Sequence, residues 1–131
     1  LDPKPTTEQL HQLTLLNEIN IEGNDNITSL EPLANLTNIK EIQASGTLIS
    51  DISPLSELLD LKTLSCANTR IADLRPLQPL VQLEKLDFSS TLLDSLDGLN
   101  SLERLQILKI DKTGVDKLQP VSGCKALRFI Y

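Results

Sequence analysis

The amino-acid sequence predicts an α/β solenoid, a stack of near-identical coils that each combine a short β-strand with a short helical turn. Aliphatic residues recur every 22 residues, and the same apolar pattern begins at residues 16, 39, 61, 83, 105 and 127. Within each repeat the apolar spacing changes from two to three, which indicates a strand followed by a helical turn. A period of this length is typical of solenoids, whose stacked repeats share one core.

The repeat places apolar side chains at positions 1, 4, 6, 11, 14, 17 and 20. Position 4 shows the regularity, because it holds only isoleucine or leucine in six successive repeats. Its residues are Ile19, Ile42, Leu64, Leu86, Leu108 and Ile130. The first repeat needs one additional residue, within 22–26, to stay in step. Equal spacing predicts that equivalent side chains lie at one depth in a continuous core.

Positions 3 to 7 of each repeat predict the strand. Leu86 and Phe88 alternate with Asp87 and Ser89, the pattern of a strand with one buried face. Positions 3, 5 and 7 then point away from the core, because successive side chains of a strand alternate between its faces. The side chains of this outer face do not pack in the core, and we expect a partner to bind there.

Positions 16 to 20 predict a helical turn, either α or 3₁₀, since Leu77, Leu80 and Leu83 are spaced three apart. Proline suits the first residue of such a turn because its φ is fixed and it lacks an N–H. It occupies position 16 in four repeats, whereas the fourth repeat has Gly98. The prolines are Pro32, Pro54, Pro76 and Pro120.

Polar residues at positions 9 and 13 are predicted to satisfy backbone groups of the loops. A hydroxyl at position 9 can bond to the loop that follows the strand, and stacking would align these residues in a ladder. They are Thr47, Thr69, Thr91 and Thr113. Asp51 and Asp73 lie just before the helical turn, where a carboxylate can cap backbone N–H groups.

The third repeat begins with LKTLSCANTRIADLRPLQPL at 61–80. This phrase resembles the 22-residue leucine-rich repeat of bacterial internalin-type proteins and of a regulatory subunit of protein phosphatase 1. The resemblance covers residues 16–131 and implies a right-handed leucine-rich-repeat superhelix, with a concave parallel sheet and helical or 3₁₀ turns on the convex side. It also implies a role in binding other proteins, and it carries over no catalytic residue. The family usually has Asn at position 9, so loop bonding is expected to differ in detail here.

On this interpretation the chain has five full repeats between two partial elements. The full repeats are 16–38, 39–60, 61–82, 83–104 and 105–126, and the start of a sixth is 127–131. Residues 1–15 are predicted to form an N-terminal helical cap or partial repeat, because Thr6 and Gln9 match a capping box ahead of regularly spaced leucines. The sixth strand has no polar cap, which solenoids need for solubility. We therefore expect a longer array, or an open end that pairs with something.

Composition and motifs argue against several function classes. The formal charge of −6 argues against nucleic acid or an anionic membrane as the ligand, because both are bound through clustered Lys and Arg. No apolar run approaches the roughly 20 residues of a membrane span. His11 is the single histidine, and no phosphate-binding loop or metal-ligand spacing occurs. No enzymatic activity, cofactor or metal is therefore expected, and the predicted partner is a basic or neutral protein.

The two cysteines, Cys66 and Cys124, belong to coils two repeats apart. At about 4.8 Å per strand spacing they are separated by roughly 10 Å along the stack, which is beyond the reach of a disulfide. We predict two free, buried thiols that fill apolar positions. The compartment therefore stays open between a bacterial secreted or cell-surface location and the cytoplasm.

The candidate partner-binding residues lie at positions 3 and 5 of the predicted strands. They are Glu18, Asn20, Glu41, Gln43, Ser65, Lys85, Asp87, Ile107, Lys109, Phe129 and Tyr131. Asp87 and Lys109 fall on neighbouring strands, which predicts a cross-strand ion contact. The sharper candidate is Ile107, Phe129 and Tyr131 with Lys109 beside them, because aromatic side chains dominate interface energetics. The alternative is that further repeats or a cap cover this cluster.

The sequence thus predicts a non-enzymatic protein-recognition module that binds through the concave sheet face. An alternative is a structural spacer or assembly element of a larger protein, which would associate with copies of itself or with flanking domains through its exposed repeat ends.

Overall fold

The computed structural model describes residues 17–131, which form one six-stranded sheet with the rest of each coil wound behind it. The strands are β1 (Glu18–Asn20), β2 (Glu41–Gln43), β3 (Thr63–Ser65), β4 (Lys85–Asp87), β5 (Ile107–Lys109) and β6 (Phe129–Ile130). Their order in the sheet is their order in the chain, and every neighbouring pair is parallel. The predicted α/β solenoid is confirmed. The predicted cap at 1–15, with His11, lies outside the described residues.

Strand register stacks equivalent side chains into one apolar column. Leu86 of β4 pairs with Leu64 on one side and with Leu108 on the other, and the accessible surface of all three is 1% or less. Each of these leucines is therefore packed by the coils before and after it as well as by its own. The core is a column shared by all coils, as the repeat predicted.

The additional residue of the first repeat can be placed from backbone hydrogen bonds. The N–H of Gly23 donates to Ser45 in the next coil at 2.8 Å, whereas the N–H of Leu48 donates back to Ile27 at 2.9 Å. Gly23 is therefore still aligned with the strand, and Ile27 is already aligned with the turn side. The extra residue lies within 24–26, inside the segment that the sequence indicated.

Within residues 17–131, four 3₁₀ helices form the turns behind the sheet. They are η1 (Glu31–Leu33), η2 (Ser53–Leu55), η3 (Arg75–Leu77) and η4 (Gln119–Val121). Each has proline as its second residue, one place after the first residue that the sequence predicted for it. Asp51 and Asp73 accept hydrogen bonds from the backbone N–H groups of Ser53 and Arg75 at 2.8 and 2.9 Å. The predicted capping role of both carboxylates is confirmed.

The fourth repeat departs from this pattern, and the helical turn predicted for it is wrong. No 3₁₀ helix occurs in the described segment between β4 and β5. Gly98, which stands where the other repeats have proline, has a φ of +108°. A 3₁₀ helix needs φ between about −50° and −70°, so this backbone conformation excludes it. The chain instead passes close to the preceding coil, because a Cβ on Gly98 would lie 2.5 Å from the Leu74 carbonyl oxygen.

The position-9 threonines satisfy the loop that follows each strand. Each Oγ1 donates a hydrogen bond to the carbonyl three residues earlier, with distances of 2.6 to 2.8 Å. The pairs are Thr47 with Ala44, Thr69 with Cys66, Thr91 with Phe88, and Thr113 with Ile110. The bond is local to each coil, so each threonine satisfies a carbonyl of its own loop.

Position 8 is held in the left-handed backbone region in five successive coils. The residues and φ values are Gly23 (+70°), Gly46 (+73°), Asn68 (+55°), Ser90 (+56°) and Lys112 (+57°). In the first four, the N–H donates to a position-7 carbonyl of the next coil at 2.8 or 2.9 Å. The ladder between coils requires this conformation, which glycine adopts without steric cost and most other residues do not.

Replacing Lys112 with glycine is therefore expected to raise the free energy of unfolding by about 1 kcal/mol, because it removes an L-residue from the left-handed region. Urea denaturation followed by circular dichroism measures the change. Asn68→Gly is the matched control, and its gain should be smaller because asparagine tolerates this conformation. A loss of stability in Lys112→Gly would contradict the strain at this position.

The coil at the C-terminal side is less covered than the others. Leu118 and Ile130 occupy core positions of the repeat, yet 51% and 43% of their surfaces are accessible. The prediction that equivalent side chains lie at one depth therefore does not hold in this layer. The reason is that each core layer is covered by the coil that follows it, and no described residue packs beyond these two.

Both cysteines are buried and free, as predicted. Burial, assisted by the negative charge of Asp87, raises the pKa of the Cys66 thiol, and burial also raises the pKa of the Cys124 thiol. The thiolate is the reactive form, so the folded chain holds both thiols in their unreactive form.

A thiol reagent is therefore expected to modify the native protein far more slowly than the urea-unfolded chain. Stability should also fall above about pH 8.5, where cysteines of the unfolded chain lose their protons while those of the folded chain keep them. Cys66→Ala, which introduces the residue found at the same position in the second repeat, should make this alkaline decline shallower. Equal reaction rates for folded and unfolded protein would contradict the burial of both thiols.

Candidate functional site

The concave face consists of the outward side chains of β1 to β6. Along each strand the central residue is buried or packs toward the core, while its neighbours are exposed or half-buried. All eleven residues predicted from the sequence lie on this face, in two rows that cross the strands. Five strand spacings of about 4.8 Å make the face about 24 Å long.

The N-terminal end of the concave face is acidic. Glu18 and Glu41 are direct register partners on β1 and β2, which places two carboxylates on adjacent strands. The amide of Gln43 donates a hydrogen bond to Glu41 at 2.7 Å and fixes that side chain. The side chain of Asn20 bonds to the backbone instead, because its oxygen accepts a hydrogen bond from the N–H of Glu22 at 3.0 Å.

The middle of the face carries charges that do not pair with one another. Asp87 and Lys109 are register partners on β4 and β5, yet they form no ion pair within residues 17–131, so the predicted cross-strand contact is wrong. The Asp87 carboxylate instead accepts a hydrogen bond from the backbone of Ser89 at 3.0 Å. The ammonium of Lys109 lies 5.7 Å from the ring centroid of Tyr131, within the range of a cation–π interaction.

The C-terminal end is aromatic. The rings of Phe129 and Tyr131 stack with centroids 6.3 Å apart and an interplanar angle of 16°. Their accessible fractions are 52% and 58%. Ile107 is the register partner of Phe129, so the structure brings together the four residues of the sharper candidate, Lys109 included. Two large rings are thus held in one orientation while remaining open to solvent.

A shallow recess of about 210 Å³ lies on the concave face beside this aromatic end. Its lining residues are Thr63, Ser65, Lys85, Leu86, Asp87, Ile107 and Lys109. The set of candidates drawn from the sequence omitted Thr63, although it occupies position 3 of its repeat like Glu18 and Lys85. A threonine carries no charge and little apolar surface, so only its place beside Lys85 in the sheet shows its relevance.

The turn side of the solenoid has a different chemistry. A depression of about 640 Å³ is lined by acidic and polar residues that include Asp94, Asp97 and Asp116. Asp73 and Arg75 form a salt bridge of 2.9 Å on this side, and the hydrogen bonds from Arg75 lower the pKa of the Asp73 carboxyl. Both side chains are half exposed or more, so the pair contributes little to stability.

Residues 17–131 contain no group of three or more His, Cys, Asp and Glu side chains placed to hold a metal ion. Within the same range, no helix has the length and apolar character needed to cross a membrane.

Comparison with known families agrees with the geometry. Residues 59–101 match the family described as leucine-rich repeats in two copies. The chain is a leucine-rich-repeat solenoid. Its matched segment spans the third strand and its coil together with most of the next repeat. No curated protein sequence matches this solenoid.

Solved structures show the same superhelix. Internalin C2 of Listeria monocytogenes superimposes with a TM-score of 0.89 at 25% identity, over 96% of this chain and 55% of that chain. Internalin F of the same organism gives 0.85 at 26% identity, over 95% and 37%. A leucine-rich-repeat protein of Leptospira interrogans gives 0.72 at 21% identity, over 80% and 29%, and shows likeness of fold alone. The solenoid thus spans about half or less of the length of these proteins.

Proposed function

We propose that this solenoid is a protein-recognition module that binds its partner through the concave face and catalyses no reaction. The leucine-rich-repeat fold is typical of protein–protein interaction modules. The observation that carries the proposal is the stacked pair of Phe129 and Tyr131, which are exposed on the face that the sheet leaves free of packing. Large, rigid aromatic side chains are the residues that most often dominate binding energy at protein interfaces.

Because this aromatic pair is exposed, its contribution to binding can be measured separately from its contribution to folding. Both rings keep more than half of their surface in contact with solvent, so removing them deletes few core contacts. Burial of the same rings by a partner would remove a large apolar area from water. Their contribution is therefore expected to be small for the isolated solenoid and large in the complex.

Phe129→Ala and Tyr131→Ala are each expected to raise the Kd for the partner about tenfold or more while leaving Tm nearly unchanged. Binders are obtained by selection from a library of displayed protein fragments, and their affinities are measured by biolayer interferometry. Leu59→Ala and Leu92→Ala are matched controls, because these leucines are exposed to a similar degree away from the concave face. Unchanged affinity in the aromatic variants would refute the proposal. A large fall in Tm would assign the rings to packing instead.

The alternative, a spacer or assembly element that associates through its repeat ends, has one observation in its favour. Leu118 and Ile130 are exposed at core positions, and a further coil from the same or another chain would cover them. Light scattering across a dilution series separates the two proposals. End-to-end association makes the apparent mass rise with concentration, whereas a module that binds through its concave face stays monomeric.

A further inference from the structure

We infer that the recess in the middle of the concave face receives an acidic side chain of the partner, next to an apolar side chain that packs on Ile107 and Phe129. This inference rests on the proposed function and specifies the chemistry of the partner. It runs against the net charge of −6, which by itself favours a basic partner. Local charge decides here, because contacts at short range outweigh the screened field of distant groups.

Two lysines at the recess lack an acidic partner. Lys85 and Lys109 lie on the adjacent strands β4 and β5, and both side chains are exposed. Within residues 17–131, Lys85 makes neither an ion pair nor a side-chain hydrogen bond, and the ammonium of Lys109 makes a cation–π contact with the Tyr131 ring but no ion pair. Asp87 is the one carboxylate of the recess, so the recess keeps a net positive charge. A second carboxylate would neutralise it.

Hydrogen-bond donors complete the recess on its N-terminal side. Thr63 and Ser65 of β3 are the register partners of Lys85 and Asp87, and their hydroxyl groups line the same space. Neither hydroxyl donates to another described residue. A carboxylate offers about four acceptor sites, so it could bond to a hydroxyl and to both ammonium groups at once. Hydrogen bonds to an ionised acceptor are about twice as strong as neutral ones.

The surroundings restrict where an acidic group can be placed. Glu18 and Glu41 repel an acidic group from the N-terminal end of the face. Asp111, which follows β5, is a further carboxylate beside the recess, and it accepts a hydrogen bond from the Ser89 hydroxyl at 2.5 Å. On the other side lie Ile107 and the aromatic pair, which suit an apolar neighbour. The partner is thus expected to present an acidic residue directly beside an aliphatic or aromatic one.

The test begins with selection of a phage library of random peptides against the whole chain. Selected peptides are expected to share an Asp or Glu next to an apolar residue. An analogue with the acid changed to its amide should bind about tenfold more weakly. Lys85→Gln and Lys109→Gln should each weaken binding of the acidic peptide by a similar factor and leave the amide analogue unaffected. Lys109→Arg, which retains the charge, should restore most of the affinity.

Lys125→Gln is the matched control, because Lys125 is exposed away from the concave face and its loss should change nothing. Circular dichroism and Tm establish that each variant is folded. Two results would refute the acidic contact while leaving the proposed function standing. Peptides could lose affinity for Phe129→Ala but for neither lysine variant, or they could bind equally well when the acid is changed to its amide. A selection in which no binder responds to any substitution on the concave face overturns both.

Discussion

Replacing Leu86 with alanine is expected to lower the free energy of unfolding by about 2–5 kcal/mol. The side chain is 1% accessible and lies in register between Leu64 and Leu108, so its deletion opens a cavity that touches three coils. Because stability in a solenoid depends on contacts between nearest neighbours, the loss is felt on both sides of the substitution. Urea denaturation monitored by far-ultraviolet circular dichroism measures it.

Leu92→Ala makes the same chemical change six residues further along. Leu92 is 64% accessible, so the change is expected to stay within about 0.5 kcal/mol. The comparison isolates burial as the cause, because residue type and repeat are the same. If both variants lost similar stability, the continuous core on which the fold depends would be disproved.

Replacing Gly98 with alanine is expected to cost about 2–4 kcal/mol, the sum of backbone strain at positive φ and overpacking against the neighbouring coil. The added Cβ would lie 2.5 Å from the carbonyl oxygen of Leu74 and 2.6 Å from the Cα of Arg75. Both are backbone atoms, so the collision cannot be relieved by rotation of a side chain. The two coils must move apart or the turn must change conformation.

Gly23→Ala separates the two contributions. Gly23 also has a positive φ, at +70°, but no other group lies within 4 Å of the place that an added Cβ would take. Its cost should therefore be the conformational part alone, about 1 kcal/mol. Thermal and urea unfolding of both variants provide the comparison. A Gly98→Ala variant no less stable than Gly23→Ala would show that the close approach of the fourth coil is absent in solution.

The charged side chains of the concave face are arranged differently from the ion pair on the turn side. Most of its charged groups are left without oppositely charged partners among the described residues, while the salt bridge of Asp73 and Arg75 lies on the turn side. Two glutamates in direct register on β1 and β2 do not stabilise the sheet, since like charges on adjacent strands repel. These unpaired charges agree with the proposal that the face binds a partner.

Much of the fold could be predicted because one rule repeats. Leu64, Leu86 and Leu108 are chemically equivalent and evenly spaced, so a stack of coils is the arrangement that buries them all alike. The prolines likewise predicted the turns that became 3₁₀ helices. The fourth repeat was predicted less well, because Gly98 permits many backbone conformations, and the one it adopts has a positive φ and lies close to Leu74.

The sequence predicted which side chains share the concave face, but its prediction of a contact between Asp87 and Lys109 was wrong. Alternation along the strands placed Asp87 and Lys109 side by side, and the structure keeps that register. Their side chains nevertheless turn to other partners, Ser89 and Tyr131. Rotamers of exposed side chains depend on small energy differences among nearby groups. Ser89 lies in the same coil as Asp87, whereas Tyr131 comes near Lys109 only when the coils stack.

The sequence alone determined the solenoid, its 22-residue step, the buried column and the face that remains open, because each follows from spacing within the chain. Only the tertiary structure decided the stacking of Phe129 on Tyr131, the recess around Lys85 and the left-handed column at position 8. The recess and the position-8 hydrogen bonds arise between coils, where residues about 22 apart in the chain meet, whereas the rings of Phe129 and Tyr131 stack within one coil. Local pattern specifies which side chains are outward, but contact between neighbouring coils specifies what they touch.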